Sequence, residues 1–327
     1  MGRIAVVGCG ATGTRIARQL LRGDGRTDVV LVDERAGLAE HVAASLGPDV
    51  AWRDGTEPPA DCDTVVLAIA AGDHVAAARR AIDSGQDVIS VSDRLADIRR
   101  LLQLDSRART AGVSLIVGAG MMPGLSDVLA AHGAAWLDEV NEIHVSKFGT
   151  GGPECARQHH RALKGICFDW RNGQWVRRAG GSGRELAWFP APVQSADCYR
   201  AALGDPLLLV RTHPNVDRIT ARMAATRRDR LTMHLPMLRK PHPEGLLGAV
   251  RVELRGVQNG EQREIVLGCA ERPAVAAGAV AAATVSRLRS GGGPDGAVGL
   301  AELVDPVAFL HDLRTRGLVA EIFVGSR

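Results

Sequence analysis

The sequence predicts an α/β fold class, with a doubly wound parallel sheet followed by a second, α+β domain on a mixed or antiparallel sheet. Three observations favour this prediction. Short, unbroken apolar runs alternate with helical patterns over residues 1–120, which is typical of buried parallel strands. Glycines interrupt the first alternation at Gly8, Gly10 and Gly13. After Glu139, apolar residues alternate with polar ones and the runs join through hairpin turns, which is typical of antiparallel strands.

The glycine spacing after the first predicted strand is typical of a dinucleotide-binding loop. The strand covers residues 3–7, and a helical spacing of apolar residues follows over 14–21. In a G-x-G-x-x-G loop the first glycine allows the tight turn, the second lets a pyrophosphate approach the backbone, and the third lets the helix pack on the strand. Free amides and the positive end of the helix dipole then hold the phosphates. The sequence therefore predicts a Rossmann domain.

An acidic residue follows the second predicted strand, which covers residues 29–32. Asp33 lies 20 residues after Gly13, where a carboxylate would bond the ribose hydroxyls of the adenosine. Asp33 favours NAD because a 2′-phosphate would face a like charge, whereas Arg35 could accept that phosphate. NAD and NADP both stay open, with NAD slightly favoured, and an ordinary turn with an acidic loop residue is the alternative. The predicted cofactor-binding residues are Gly8, Gly10, Ala11, Thr12, Gly13, Asp33, Glu34, Arg35 and Ala70.

Residues 1–122 are predicted to form this first domain. Its other helices are expected over 36–46, 74–82 and 95–111, and its other strands over 50–52, 64–70, 87–91 and 113–117. Six parallel strands result, and ligands in such sheets bind beyond the carboxyl ends of the strands. The segments expected at the rim of that crevice are Gly8–Gly13, Asp33, 70–72, Ser92-Asp93 and 118–124.

Residues 123–270 are predicted to form an α+β domain for substrate binding and subunit contact. Asn-Gly pairs at 172–173 and 259–260 indicate hairpins. The strands of these hairpins are expected over 166–170, 174–176, 250–254 and 264–267, with further strands over 140–148 and 207–210 and helices over 125–136 and 216–227. One face of such a sheet can cover the cofactor and its other side can support a subunit contact, so we expect a homodimer.

Residues 271–327 are expected to return to the first domain. Pro273 is favourable in the first turn of a helix, and it opens an alanine-rich helix predicted to end at residue 288. A second helix is predicted over 306–316, followed by an apolar tail over 318–324.

Composition and charge argue against several classes of protein. A chain of 327 residues with 46% hydrophobic residues can build the cores of two domains. The net charge of +3 is too small to indicate nucleic acid or an anionic membrane, and no apolar run approaches the ~20 residues of a membrane span. Six scattered cysteines form no C-x-x-C pair, and a strand at residue 3 leaves no room for a signal peptide. We therefore expect a cytoplasmic protein whose partner is a small molecule rather than nucleic acid or a membrane.

The chain resembles the saccharopine dehydrogenase family in its shorter, single-reductase form. The similar segments are GCGATG near the amino terminus, TVVLAIA, DVISVSD, the junction GAGMMPGLSDVLAAHG and the ending VGLAELVDPVAFLHDLRTRGL. The resemblance implies NAD or NADP as cofactor and a reaction that forms or breaks a secondary amine, by reducing an imine of an amino acid or polyamine with a carbonyl compound. Many members carry an acidic residue before Pro-Gly at the junction, and Met122 stands there in this chain.

The predicted catalytic residues are polar side chains near the crevice that could handle one proton, because the nicotinamide itself carries the hydride. Asp93 follows a strand and either orients the nicotinamide ribose, transfers the proton or caps a helix. Asp127 lies one helical turn past Gly124 and either faces the crevice or complements the helix dipole. Lys147 precedes a polar loop that contains His160, and both are either proton donors or surface groups. The four predicted residues are Asp93, Asp127, Lys147 and His160.

A metal site is not predicted, because the spacing of Cys155, His159, His160 and Cys167 fits no zinc pattern. The sequence as a whole indicates an NAD(P)-dependent oxidoreductase that acts at a C–N bond of an amino-acid-derived substrate. Two alternatives stay open. One is a dehydrogenase of alcohols, aldehydes or sugars, and the other is a protein that retains NAD as a sensor or as a prosthetic group in a non-redox reaction.

Overall fold

The computed structural model describes residues 2–22, 27–237 and 240–323. Its strands are β1 (Arg3–Val7), β2 (Val29–Asp33), β3 (Ala51–Asp54), β4 (Cys62–Leu67), β5 (Asp87–Ser90), β6 (Ser114–Val117), β7 (Glu139–Phe148), β8 (Ile166–Arg171), β9 (Gln174–Ala179), β10 (Glu185–Phe189), β11 (Gln194–Arg200), β12 (Arg218–Ala224), β13 (Gly248–Gln258), β14 (Glu261–Glu271), β15 (Gly296–Gly299) and β16 (Glu321–Ile322). Its helices are α1 (Ala11–Leu21), α2 (Leu38–Leu46), α3 (His74–Asp83), α4 (Leu95–Leu102), α5 (Asp105–Ala111), α6 (Leu125–Ala134), α7 (Pro153–Lys164), α8 (Asp205–Thr212), α9 (Arg227–Thr232), α10 (Pro273–Gly291), α11 (Leu300–Leu303) and α12 (Pro306–Thr315).

The first sheet has seven parallel strands in the order β15-β6-β5-β4-β1-β2-β3. Successive side chains of a strand point to opposite faces, and both faces are buried. Ile4 and Val6 of β1 belong to the same core as Ile16 of α1, whereas Val7 belongs to the core that includes Ala78 of α3. Helices on both faces of a parallel sheet confirm the predicted doubly wound α/β fold. The sheet has one strand more than predicted, because β15 pairs with β6.

The second sheet is mixed and has nine strands. Its main path runs β10-β11-β12-β7-β13-β14-β16, and β8 pairs with β12 and β9. Strand β7 runs parallel to β12 and antiparallel to β13. Both predicted Asn-Gly hairpins are present, with φ of 48° and 77° at Asn172 and Gly173 and of 52° and 78° at Asn259 and Gly260. Positive φ at both central residues is what a two-residue turn between twisted strands requires.

In the second sheet region, one predicted helix is a strand and one predicted strand is a helix. The helix predicted over 216–227 is strand β12, which lies between β7 and β11. Both faces of this strand are covered, because Ile219 and Thr220 are both 0% exposed. Pairing on both edges and burial on both faces therefore outweigh the helical spacing of the sequence. The strand predicted over 207–210 belongs to helix α8, which begins with Pro206 in its first turn.

Two further segments differ from the prediction. The polar loop predicted around 157–161 is part of helix α7, which has Pro153 in its first turn. The single helix predicted over 95–111 is divided into α4 and α5. Leu101 of α4 and Ala108 of α5 are nevertheless buried in one core.

The carboxyl-terminal segment contacts both sheets. Helix α10 packs against α1, and a Cβ at Gly278 would lie 2.9 Å from the carbonyl carbon of Arg15. Strand β16 pairs with β14 at the edge of the second sheet, and Val324 of the predicted tail lies outside the described residues. Within the described ranges, no helix combines the length and the apolar character needed to cross a bilayer. The domain boundaries after residues 122 and 270 stay predictions.

Candidate active site

A cavity of about 780 Å³ lies beyond the carboxyl ends of β1, β2, β4 and β5. Its lining combines the glycine loop and Asp33 of the first sheet with Lys147 of β7 and His159 of α7. Strands β2 and β5 are separated by β1 and β4, so three strand spacings place their ends about 14 Å apart. An elongated ligand can therefore contact Asp33, after β2, and Asp93, after β5, at the same time.

The glycine loop is closed toward the fold and open toward the cavity. At Gly8 φ is +99°, and a Cβ there would overlap the Ala68 carbonyl group, while a Cβ at Gly13 would overlap the Gly8 carbonyl group. A Cβ at Gly10 would have no atom within 4 Å. Helix α1 begins at Ala11, with no side-chain cap and no acidic residue in its first turn. Its first amides are therefore free to bind an anion such as a diphosphate.

Asp33 is fixed at the end of β2 by a set of hydrogen bonds. The backbone amide of Cys9 donates to Oδ2 at 2.6 Å, and the amide of Arg35 donates to Oδ1 at 2.9 Å. The Arg35 guanidinium group donates to both oxygens at 2.9 and 3.0 Å. Burial alone would raise the pKa of Asp33, but Arg35 and the two amides lower it. Asp33 is therefore a carboxylate, and the cavity lining also includes Glu34 and Ala70.

A cluster of charged side chains surrounds Asp93. Its Oδ2 accepts a hydrogen bond from Lys147 Nζ at 3.0 Å and lies 2.6 Å from His159 Nε2. The Lys147 ammonium group also donates to the backbone oxygen of Met122 at 3.4 Å. The Sγ atom of Cys155 lies 3.5 Å from His159 Nε2 and 3.9 Å from Asp93 Oδ2. Asp93 is 19% exposed at its side chain, whereas the side chains of Lys147 and His159 are buried.

The charges of this cluster stabilise one another. Burial opposes each charged form, but Lys147 and His159 together lower the pKa of Asp93. Burial also opposes the ammonium form of Lys147, yet Asp93 keeps the pKa of Lys147 above its usual value. For His159, burial is outweighed by the sulfur of Cys155 and the carboxylate of Asp93, so the pKa of His159 is raised to about 9. The site therefore holds a carboxylate between two proton-bearing cations at neutral pH.

Asp127 belongs to a second buried group, beside Asp205. Asp127 and Asp205 are 1% and 0% exposed. Ser126 Oγ donates to Asp205 Oδ1 at 2.8 Å, and the Gly124 amide donates to Asp127 Oδ2 at 3.2 Å. Among the described residues, Asp127 Oδ1 and Asp205 Oδ2 have no hydrogen-bond partner. Burial and the neighbouring Asp205 raise the pKa of Asp127, and burial raises the pKa of Asp205 to about 6 although Lys147 opposes it.

Two of the four predicted catalytic residues line the cavity, and the other two do not. Asp93 and Lys147 are in contact there, whereas Asp127 is buried beside Asp205 and is not among the lining residues. His160 instead places Nε2 2.9 Å from the Leu235 carbonyl oxygen, while the neighbouring His159 lines the cavity. Adjacent residues of a helix differ by about 100° in direction, so only one of the two histidines can reach Asp93. His159 is not among the four predicted residues. Cys155 and His159 are four residues apart, and this helical spacing is the signal that could have identified this face of α7.

Comparison with known proteins found a family model that matches the first domain. Residues 2–119 match the model of an oxidoreductase family with an NAD-binding Rossmann fold. The first domain is therefore similar to the NAD-binding domain of that oxidoreductase family.

Solved structures resemble the whole chain in fold. An apo saccharopine dehydrogenase (L-Glu forming) from Saccharomyces cerevisiae aligns with a TM-score of 0.70 and 14% identity, over 99% of this chain and 100% of that one. The DAP dehydrogenase of C. glutamicum in complex with DAP aligns with a TM-score of 0.53 and 18% identity, over 96% and 98%. An engineered D-amino acid dehydrogenase bound to NADP+ aligns with a TM-score of 0.53 and 17% identity, over 96% and 99%. The resemblance to saccharopine dehydrogenase is thus confirmed in fold.

Proposed function

We propose that this protein is an NAD(P)-dependent oxidoreductase that transfers a hydride at the C–N centre of an imine or secondary amine derived from an amino acid. One observation carries the proposal. The open glycine loop and the Asp93–Lys147–His159 cluster line the same cavity. The nicotinamide, when bound, supplies or accepts the hydride. The remaining work of such a site is to orient the substrate and to move one proton.

The cofactor end of the cavity fits a dinucleotide. Gly10 leaves open space where a pyrophosphate would approach, and the free amides of the first turn of α1 face a cavity rather than packed side chains. Asp33 would accept hydrogen bonds from the ribose hydroxyls. We propose NAD as the preferred cofactor, because the fixed carboxylate of Asp33 would repel a 2′-phosphate while Arg35 is already engaged with that carboxylate.

The other end of the cavity carries groups that can donate a proton to the nitrogen of a substrate. Reduction of an imine gives an amine, so the nitrogen needs a proton from the protein or from water. Lys147 and His159 both carry a proton, and Asp93 holds them side by side. We assign proton transfer to these two cations and a positioning role to Asp93. These residues take the place of the acidic group that the family often carries where Met122 stands.

The substrate class is supported by the names of similar structures. Those with a TM-score above 0.5 are named for saccharopine, DAP and D-amino acids. Saccharopine is a secondary amine, and the other two names denote amino acids, so all three fit a substrate in which nitrogen is bound to the reacting carbon. For this chain the substrate itself stays a proposal, as do the homodimer and the cytoplasmic location.

The experiment that tests the proposal follows NADH absorbance with a panel of amino acids paired with 2-oxo acids, and in parallel with hydroxy acids, alcohols and sugars. We expect turnover with amine–carbonyl pairs. Lys147→Met should lower kcat by about 10²-fold or more, which is the usual contribution of a positioned acid or base, while the Kd for NADH is unchanged. Lys164→Met is the matched control, because Lys164 is an exposed lysine at the end of α7.

Turnover with hydroxy compounds alone would support the alcohol-type dehydrogenase instead. NAD that survives dialysis and is never released in reduced form would support a non-redox role. Full activity of Lys147→Met together with His159→Gln would contradict the assignment of the proton donors.

A further inference from the structure

Three side chains in the cavity offer one metal-binding atom each. Cys155 Sγ, His159 Nε2 and a carboxylate oxygen of Asp93 all lie within 4.8 Å of one another. Cys155 and His159 are four residues apart on α7, so the helix places them on one face. Asp93 comes from the loop that follows β5 of the first sheet. The sequence alone predicts no metal because it does not show that Asp93 lies beside this helix.

One of the three distances among these atoms matches a tetrahedral zinc site, and the other two need adjustments of less than 1 Å. Zinc bonds of about 2.3 Å to sulfur and about 2.0–2.1 Å to nitrogen and oxygen separate tetrahedral ligands by roughly 3.3–3.6 Å. The sulfur–nitrogen distance is 3.5 Å, and the sulfur–oxygen distance is 3.9 Å. The nitrogen–oxygen distance of 2.6 Å is that of a shared proton, and it must widen by about 0.7 Å when a larger ion takes the place of that proton.

We propose that Cys155, His159 and Asp93 form a binding site for Zn²⁺ or a similar soft divalent cation, with the fourth position open to the cavity. One thiolate, one imidazole and one carboxylate are a ligand set that zinc accepts, and three protein ligands with one open position are typical of zinc sites that exchange a small molecule. Asp93 is 19% exposed at its side chain, Cys155 is half-buried, and both line the cavity, so the ion has a route of entry.

The charge balance of the cluster permits this exchange. Zinc takes a thiolate, a neutral imidazole and a carboxylate as ligands, so its binding displaces the proton shared by His159 and Asp93 and releases protons as its two positive charges enter. Lys147 keeps its hydrogen bonds to Asp93 and Met122. Proton release therefore offsets positive charge that the ion brings into this buried group.

Metal occupancy would also regulate the reaction, and this consequence rests on the proposed function. With zinc bound, His159 has no proton to give and Asp93 no longer holds it in place. The ion and the proton-transfer arrangement are then alternative states of the same residues, and zinc inhibits hydride transfer.

The binding test uses chelator-stripped full-length protein and Co²⁺ as a spectroscopic probe, followed by displacement with Zn²⁺. We expect one Co²⁺ per chain, with a thiolate-to-cobalt charge-transfer absorption and displacement by Zn²⁺ with a dissociation constant of about 1 μM or tighter. Cys155→Ser should abolish the charge-transfer absorption, and His159→Gln should weaken binding by at least about 10-fold. His160→Gln, its neighbour on α7, is the matched control and should bind like the wild type.

Absence of stoichiometric binding at 100-fold excess over the expected dissociation constant (about 100 μM) would overturn the proposal, as would an unchanged spectrum of Cys155→Ser. Thermal unfolding midpoints of all variants show that a loss of binding is not a loss of folding. The titration needs neither dinucleotide nor substrate, so its failure leaves the proposed oxidoreductase standing. The regulatory part is measured separately, as the ratio of activities with and without zinc, which should fall for the wild type and not for Cys155→Ser.

Discussion

Gly10 and Gly13 belong to one six-residue motif, yet the atoms around them are different. A side chain at Gly13 meets the carbonyl group of Gly8, whereas a side chain at Gly10 enters the cavity. Gly10 is therefore needed for binding a ligand, and Gly13 is needed for the fold. This difference makes the two functions of the motif separable by mutation.

We expect Gly10→Val to lose nucleotide binding and to keep its stability. The backbone at Gly10 is extended, with φ of −72°, which valine adopts without strain, but its side chain would occupy the path of the pyrophosphate. The measurement is the Kd for NADH by fluorescence titration beside the thermal midpoint. Gly13→Ala is the contrasting variant, and it should lose at least about 1–3 kcal/mol of stability through overpacking. Tight NADH binding by Gly10→Val would contradict the assignment of the loop.

Asp205 should make the stability of the protein fall as pH rises. Its pKa is about 6 when folded and 3.8 as a free side chain, so the folded state binds more protons than the unfolded state between these values. This contribution is fully present below the unfolded pKa and is lost as pH rises through about 6. At higher pH the fold must hold the extra charge beside Asp127.

Asp205→Asn removes that charge and keeps an oxygen that accepts from Ser126. We expect the stability of the variant relative to the wild type to be higher at pH 8 than at pH 4.5 by about 2 kcal/mol, which is the part of a shift of roughly two pKa units that falls between these pH values. Urea unfolding at the two pH values measures this difference. The exposed Asp217→Asn is the control and should show the same difference from wild type at both pH values. An equal effect of Asp205→Asn at both values would show that this carboxyl group does not titrate as proposed.

At the candidate site, the sequence predicts which residues share the crevice where they follow strands, and it does not predict which side chain of a helix faces the crevice. The glycines and Asp33 follow strands in sequence order, so their meeting in one crevice follows from topology. Lys147 was identified by its position on a strand before a polar segment. The choice between His159 and His160 depends on the rotation of α7, and a segment predicted as a loop carries no rotational information.

At the scale of elements, the parallel sheet was predictable because its strands are continuous apolar runs that end in turn signals. The mixed sheet was less so, since its central strand β12 has a helical spacing of apolar residues. That strand forms because β7, β8 and β11 offer it partners, which are distant in sequence. Likewise, β15 is only four residues long, and a strand that short is recognised by its pairing with β6 rather than by its own sequence.

The contact between α10 and α1 gives a prediction at this scale. Gly278 allows the backbones of the two helices to touch, because an added Cβ would lie 2.9 Å from atoms of Arg15. Gly278→Leu should force the helices apart and cost about 1–3 kcal/mol or more in overpacking, measured as a lower midpoint of urea unfolding. Val275→Leu, on a half-buried position of the same helix, should change the midpoint little. Equal effects of the two variants would show that the close contact is not maintained.

At the scale of the molecule, both sheet regions contribute residues to the lining of the cavity. Its lining includes Gly10 and Asp33 from the first sheet region and Lys147 from β7 in the second. Neither sheet supplies a complete site. A bound dinucleotide should therefore couple the stability of the two regions.

We expect NADH at 100 times its Kd to stabilise the protein by about 2.7 kcal/mol and to slow amide hydrogen exchange both in the glycine loop and across β7 and α7. ADP-ribose, which lacks the nicotinamide, should protect the glycine loop alone. Strand β9 does not line the described cavity and serves as the internal control in hydrogen-exchange mass spectrometry. Protection by NADH confined to the glycine loop would place the nicotinamide outside the cluster of Asp93.

Strand β15 has a consequence for how a ribosome can make this protein. The Ser114 hydroxyl group donates to the Pro294 carbonyl oxygen across 180 residues, and β15 then pairs with β6. At a translation rate of roughly 5–20 residues per second, the ribosome synthesises β15 about 9–36 s after β6. For that time the nascent chain carries an apolar strand with an open edge, the feature that invites pairing with other chains. Chaperone binding during synthesis should therefore concentrate on residues 114–117 and end when residue 299 leaves the exit tunnel.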